Sequence, residues 1–406
     1  MKKGRLLRTL ALAALLTTIL GGTALADRAP DPRFAAPKIY DNPGGRDGLP
    51  YSVVKGDFDE DDVLDLAMSV GDAPENALSL FKGRRDGTFA EPPTQFDVAQ
   101  NASDVVRSDF DDDGHLDLAV ADLGDQPESP GSVTVLYGTG NGTFRDRMRL
   151  PSGGIQPQHL ATPDVDGDGN EDVAVSNINT VENGSFKAGN VTILTNTGRR
   201  AFRTGQSIRM GSGPFAVAQG LAVGDLDGDG DPDLLVTNPA RDKVVSMRNR
   251  GGRYTLIGAS RVGTDPRQVV VGLFNGGRRL DFATANSASS NVSVGLGRGD
   301  GTFRSVRNWS TGGDGAAGLI SRDLNGDNKH DLAVSNTGFG VGTGNDNLGV
   351  LTGRGDGTFR KPETFRAGSG PAGLTAGRFD RDKKPDLAVP NQYSNKLSIL
   401  LNKTRR

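Results

Sequence analysis

Cysteine is absent from all 406 residues, which excludes a disulfide framework and a thiol-linked lipid anchor. Beyond the first 26 residues no apolar run approaches the length of a membrane span. Long helical patterns are few. Lys and Arg are scattered rather than gathered into a stripe, which argues against a nucleic-acid partner. What is abundant is glycine, at 58 residues; with 21 prolines and many short apolar runs it points to an all-β chain full of tight turns.

Residues 1–26 read as a cleaved secretory signal: a basic start (Lys2, Lys3, Arg5, Arg8), an apolar stretch from Leu10 to Leu20, and Ala24, Leu25 and Ala26 ahead of the cut. Export would place the protein outside the cell or in a periplasm. Cleavage removes four of the 47 basic residues and none of the 50 acidic ones, leaving the mature chain about seven charges acidic.

A single unit recurs seven times. "DFDEDDVLDLAMSV" starts at Asp57, "DFDDDGHLDLAVAD" at Asp109, "DVDGDGNEDVAVSN" at Asp164 and "DLDGDGDPDLLVTN" at Asp225. "LFNGGRRLDFATAN" starts at Leu273, "DLNGDNKHDLAVSN" at Asp323 and "RFDRDKKPDLAVPN" at Arg378. Successive starts lie 48 to 61 residues apart, the length of one four-stranded propeller blade. Each unit adds a small-residue strand upstream, "DLAV", a variable connection, a further strand, and a turn of the "DGTF" kind before an aromatic strand. Phe58, Phe110, Val165, Leu226, Phe274, Leu324 and Phe379 occupy one equivalent apolar position and read as blade core.

The seventh unit ends before its aromatic strand. The mature start "FAAPKIYD" supplies the match, because Phe34 and Pro37 repeat the spacing of Phe359 and Pro362. The predicted fold is therefore a seven-bladed β-propeller of four-stranded antiparallel blades, closed by the N-terminal strand completing the last blade. Residues 27–402 form one domain on this reading, with 403–406 as a basic tail.

Each acidic loop places oxygen donors at positions 1, 3, 5 and 9 and a carbonyl at 7, with a turn residue at 6. Such a loop can wrap a hard cation, and calcium tolerates its irregular geometry better than magnesium. Loop one offers Asp57, Asp59, Asp61, the carbonyl of Val63, and Asp65; loop two Asp109, Asp111, Asp113, the carbonyl of His115, and Asp117. Loop three offers Asp164, Asp166, Asp168, the carbonyl of Asn170, and Asp172; loop four Asp225, Asp227, Asp229, the carbonyl of Asp231, and Asp233. Loop six offers Asp323, Asn325, Asp327, the carbonyl of Lys329, and Asp331. Loops five and seven are broken by Leu273 and Gly277 and by Arg378, and basic residues take the place of the ion there. About five Ca2+ sites follow. The competing reading is a set of solvated acidic turns. Filling five loops would move the mature charge from about −7 to about +3.

The pattern "GDxDGDGxxDLAVxN … GxGxGTF" resembles the FG-GAP/VCBS repeat of the integrin α-subunit headpiece and of many exported bacterial proteins, over almost all of residues 34 to 402. The resemblance implies a seven-bladed, calcium-binding propeller used for adhesion or ligand binding. Departures are that the FG and GAP tripeptides are poorly kept and that calcium loops occupy five blades, so integrin-like ligand contacts do not carry over residue by residue.

Long connections at Asp122 to Gly131, Ile178 to Gly189 and Thr337 to Asn347 share one face and are where binding or mere slack would sit. Asp104 and His159 fall on neighbouring innermost strands, an acid–base pair with no nucleophile or second acid beside it. His115 and His330 lie in calcium loops with side chains expected toward solvent. Arg298-Gly299-Asp300 and Arg354-Gly355-Asp356 fall in the recurring turn, which explains them without an integrin partner. The expected function is a monomeric, non-catalytic binding or adhesion module for an extracellular glycan or protein; a polysaccharide lyase or hydrolase on the same scaffold is the alternative.

Overall fold

The computed structural model describes residues 30–43, 48–72, 77–98, 101–124, 129–182, 185–212, 216–338 and 346–405. The signal segment lies outside these residues, as do 125–128, 183–184 and 339–345 of the three long connections. Among the described residues no helix is long and apolar enough to cross a membrane.

The described residues are all-β, in five antiparallel sheets of four strands and one of seven. Each four-stranded sheet carries one repeat; the first runs Leu49–Gly56, Asp65–Gly71, Leu78–Phe81, Thr94–Phe96. The seven-stranded sheet carries repeats two and three, which share the long strand Phe144–Ala161. This differs from the separate blades expected, and the reason is local. Ile155 pairs with Pro130 on one side and Asn179 on the other, so the link between the repeats stays in the ladder.

The N-terminal strand Lys38–Asp41 pairs with Lys396–Leu400 in the sheet of repeat seven, with Tyr40 opposite Leu397. The pairing extends past the expected domain boundary, because Lys403 N–H donates to the Arg33 carbonyl and Arg33 N–H to Thr404 Oγ1.

The "DLAV" strands are buried along their whole length, as in Asp117–Asp122 and Asp331–Asn336, because a sheet packs on each of their faces. Seven apolar clusters result, each joining two successive repeats. One unites Phe58, Leu80 and Leu118 of repeats one and two. Another unites Phe379 and Ile399 of repeat seven with Val53 and Met68 of repeat one. All seven equivalent apolar positions are at most 3% exposed, as expected of core.

The connection Ile178 to Gly189 is not a loop. It prolongs a hairpin in which Asn179 pairs with Ala188 and Val181 with Phe186, leaving Val181 and Phe186 44% and 45% exposed.

Candidate metal centres

The ninth-position aspartate is the best-defined part of every loop. Asp65, Asp117, Asp172, Asp233, Asp281, Asp331 and Asp386 are all buried. One carboxylate oxygen accepts the N–H at loop position 2, as from Phe110 to Asp117 at 2.7 Å; the other accepts an N–H from the end of the third strand, as from Gly138 at 2.7 Å. Loop five keeps this arrangement, with Phe274 and Gly297 N–H bonded to Asp281 at 3.0 and 2.8 Å, and loop seven does so with Phe379 and Asn402 on Asp386. The ninth position thus ties loop to sheet whether or not the loop suits a metal.

The first-position carboxylate folds the turn. Asp225 accepts the N–H groups of Gly228 and Gly230 at 2.7 and 3.2 Å, and Asp109 those of Asp113 and Gly114. Position 6 is left-handed, with φ of +89° at Gly114 and +92° at Gly169, which suits glycine; Asp62 and Asn328 adopt it at 65° and 61° in loops one and six. Position 5 accepts the N–H of position 7, fixing the residues whose carbonyls are the proposed donors: Val63 on Asp61, His115 on Asp113, Asn170 on Asp168, Asp231 on Asp229 and Lys329 on Asp327. The side chains at position 7 turn elsewhere, Asp231 toward Gly251 N–H and His115 toward Glu60 of loop one, 2.5 Å away.

Carboxylate oxygens converge within 4.8 Å in four of the proposed loops: Asp57, Asp59 and Asp61; Asp109, Asp111 and Asp117; Asp164, Asp166 and Asp172; Asp225, Asp227 and Asp229. Asp113, Asp168, Asp65 and Asp233 stand in the same loops outside these closest trios. In loop one Asp59 Oδ1 is buried without a hydrogen-bond partner, a free acceptor suited to a cation. An all-oxygen set of this kind fits a hard cation such as calcium. Loop six does not form such a trio, because Asn325 replaces a carboxylate; its Oδ1 accepts the Asp327 N–H at 3.0 Å. Loop seven does bring Asp380, Asp382 and Asp386 together, which its broken pattern did not suggest. There Lys384 lies 3.1 Å from Asp382 and Lys403 3.2 Å from Asp380.

Sequence spacing also missed the cations that reach position 3 from elsewhere. Lys82 meets Asp59 at 2.8 Å, and Arg200 of repeat three meets Asp111 at 2.5 Å while lying 4.5 Å over the Tyr137 ring. Arg203 and Arg248 approach Asp166 and Asp227 at 3.6 Å. Loops clasp their neighbours as well. The position-2 carbonyl accepts from the following repeat at Phe58 (Gly142 N–H), Val165 (Asn249 Nδ2) and Leu324 (Asn402 Nδ2), at 2.7 to 2.8 Å.

Burial drives the ninth-position carboxyls upward, opposed by their backbone hydrogen bonds and reinforced by loop neighbours. Asp65, Asp172 and Asp233 rise to about 6, and Asp117 and Asp331 to about 7. A metal would reverse this cost by neutralising the charge.

Outside the loops, His159 Nδ1 of the strand Phe144–Ala161 lies 3.4 Å from Asp104 Oδ2 of the strand Ala102–Ser108. That oxygen also accepts the Leu160 N–H, so Asp104 is part of the backbone scaffold. His330 departs from expectation. Rather than facing solvent, its ring sits edge-on to Phe274 at 6.0 Å, and Nδ1 is 2.7 Å from Ser321 Oγ. Asp300 and Asp356 bend back onto Thr302 and Thr358, bonding both N–H and hydroxyl, as a turn-forming role requires.

Comparison with known proteins agrees with this organisation. Residues 109–175 match the FG-GAP-like repeat and residues 217–255 the FG-GAP repeat, and these stretches contain loops two, three and four. No curated protein matches the sequence. Among solved structures, the periplasmic gluconolactonase of Pseudomonas aeruginosa is similar at a TM-score of 0.61 and 16% identity, covering 86% of this chain and 91% of its own. A candidate 6-phosphogluconolactonase of Bacteroides fragilis gives 0.58 and 15%, covering 88% and 94%. BBS1N, in complex with ARL6DN, gives 0.57 and 14%, covering 88% and 93%. At such identities the likeness concerns the fold alone. Three of the acidic loops thus lie inside stretches that match FG-GAP-type repeats.

Proposed function

We propose that the mature protein is an exported, calcium-stabilised, seven-bladed propeller that acts as an extracellular binding module for a glycan or protein. The observation that carries this reading is the convergence of carboxylate oxygens in loops one to four, in a chain with no cysteine to cross-link it. Asp57, Asp59 and Asp61 with their equivalents would hold the ions, and Asp323, Asn325 and Asp327 a fifth. Bound calcium supplies positive charge that holds each loop closed. The chain's own residues do the rest: ninth-position aspartates anchor loop to sheet, and position-2 carbonyls accept the next repeat. Closure of seven blades is supported by the pairing of Lys38–Asp41 with Lys396–Leu400 and by the cluster joining repeats seven and one.

A second reading, an exported carbohydrate-active enzyme, draws on the Asp104 and His159 pair and on the fold shared with a gluconolactonase. Two measurements separate the readings. A glycan array probed with and without chelator is expected to show calcium-dependent capture, and the same polysaccharides are expected to stay intact on incubation. Depolymerisation or lactone turnover that disappears in His159→Ala would instead establish the enzyme.

A further inference from the structure

Four consecutive repeats send cations to the loop-bearing ends of their innermost strands. Lys55 and Arg107 stand two residues before loops one and two, Arg322 ends the strand Ala316–Arg322 of repeat six, and Arg378 follows Thr375–Gly377 of repeat seven. Arg322 and Arg378 stand one and two positions later than Lys55 does in its repeat, and over these three positions repeats three, four and five carry no cation, with Thr162, Pro163 and Asp164, Val223, Gly224 and Asp225, and Val271, Gly272 and Leu273. The cations are neighbours. Lys55 Nζ donates to the Ala376 carbonyl of repeat seven.

Between repeats six and seven lies a cavity of about 580 Å³ whose wall includes Arg322, Arg378, Lys383, Ser321, Asn328 and His330. Among the described residues no carboxylate forms an ion pair with Arg322, Arg378 or Lys383. Asp323 also borders the cavity, but its carboxylate is turned into its own loop, accepting from Gly326, Asp327 and Asn328 at 2.7, 3.2 and 2.9 Å. Like charges gathered without partners favour an incoming anion. Two guanidinium forks suit a carboxylate, and the Ser321 hydroxyl, Asn328 amide and His330 imidazole offer neutral partners for hydroxyls. The volume is that of a small-molecule pocket, more than a lone inorganic anion fills.

We propose that this cavity binds a carboxylate-bearing, hydroxyl-rich ligand, a uronate-type sugar residue, with Arg322 and Arg378 on its carboxylate and Lys383 at its rim. The proposal rests on the binding-module reading and names the ligand class for it. Isothermal titration of the full mature protein in calcium tests it with three probes: trigalacturonate, neutral galactotriose and inorganic sulfate. Trigalacturonate is expected to bind about tenfold or more tightly than either of the others. Arg322→Gln and Arg378→Gln are each expected to weaken it about tenfold with unchanged melting temperature, while Arg298→Gln, in a distant turn, leaves it unchanged. Sulfate binding as tightly as trigalacturonate would overturn the sugar assignment. Absence of trigalacturonate binding, or binding indifferent to both arginines, would overturn the site. If the array still captures another glycan, only this inference falls; a blank array removes the module reading itself.

Discussion

Asp281→Ala is expected to destabilise the protein by about 3–5 kcal/mol and yet leave the number of bound calcium ions unchanged. Loop five lacks carboxylates at positions 1 and 5, where Leu273 and Gly277 stand, so it has no ion to lose. Its ninth-position carboxylate nevertheless takes the Phe274 and Gly297 N–H groups at 3.0 and 2.8 Å and the Asn275 amide at 3.1 Å, with no solvent access. Truncation strands these donors in the interior, at about 1–3 kcal/mol each. Chemical denaturation beside ion counting reads both numbers. A variant as stable as the parent, or one that loses an ion, contradicts the two separate roles assigned to position 9.

In chelator, the protein is expected to melt at a higher temperature at pH 5 than at pH 7.5, and in millimolar calcium the order is expected to reverse. The sign follows from the buried aspartates. Asp65, Asp172 and Asp233 lie at about 6 and Asp117 and Asp331 at about 7, all above the value of about 3.9 for an unfolded chain. A carboxyl with a raised folded value favours the native state when protonated, so without metal this stabilisation is lost as pH climbs from about 4 to about 7. Calcium prefers the ionised form, so its contribution grows over the same interval. Five sites at tenfold excess over their dissociation constants would together contribute about 7 kcal/mol. Calorimetric melts at the two pH values, with and without calcium, check the crossing. Parallel pH trends in both conditions would show that the buried carboxyls are not coupled to metal.

Much of the fold was legible because its signals are local and repeated. The alternation of a nine-residue acidic loop with "DLAV" marks the buried second strand of every sheet, and the match of Phe34 to Phe359 led to the pairing of Lys38–Asp41 with the C-terminal strand. What escaped depends on contacts between distant residues. Nothing in the spacing of loop two reveals that Arg200, 89 positions away, occupies Asp111. The hairpin through Val181 and Phe186 was hidden because its polar, glycine-containing sequence reads as a connection. It stays extended since Ile155, in the link from repeat two, gives Asn179 a partner. Loop position alone points His330 to solvent; the Phe274 ring and the Ser321 hydroxyl, both from other segments, hold it inward. Spacing alone makes position 9 a metal ligand, while its persistence in loops five and seven signals a role independent of metal.

Calorimetric titration together with native mass counts the calcium that the mature protein binds. About five ions are expected, one fewer in Asp168→Ala, with a melting temperature that falls when they are removed. A protein that carries no calcium and melts at the same temperature in chelator as in millimolar calcium would contradict calcium's role in holding the loops closed.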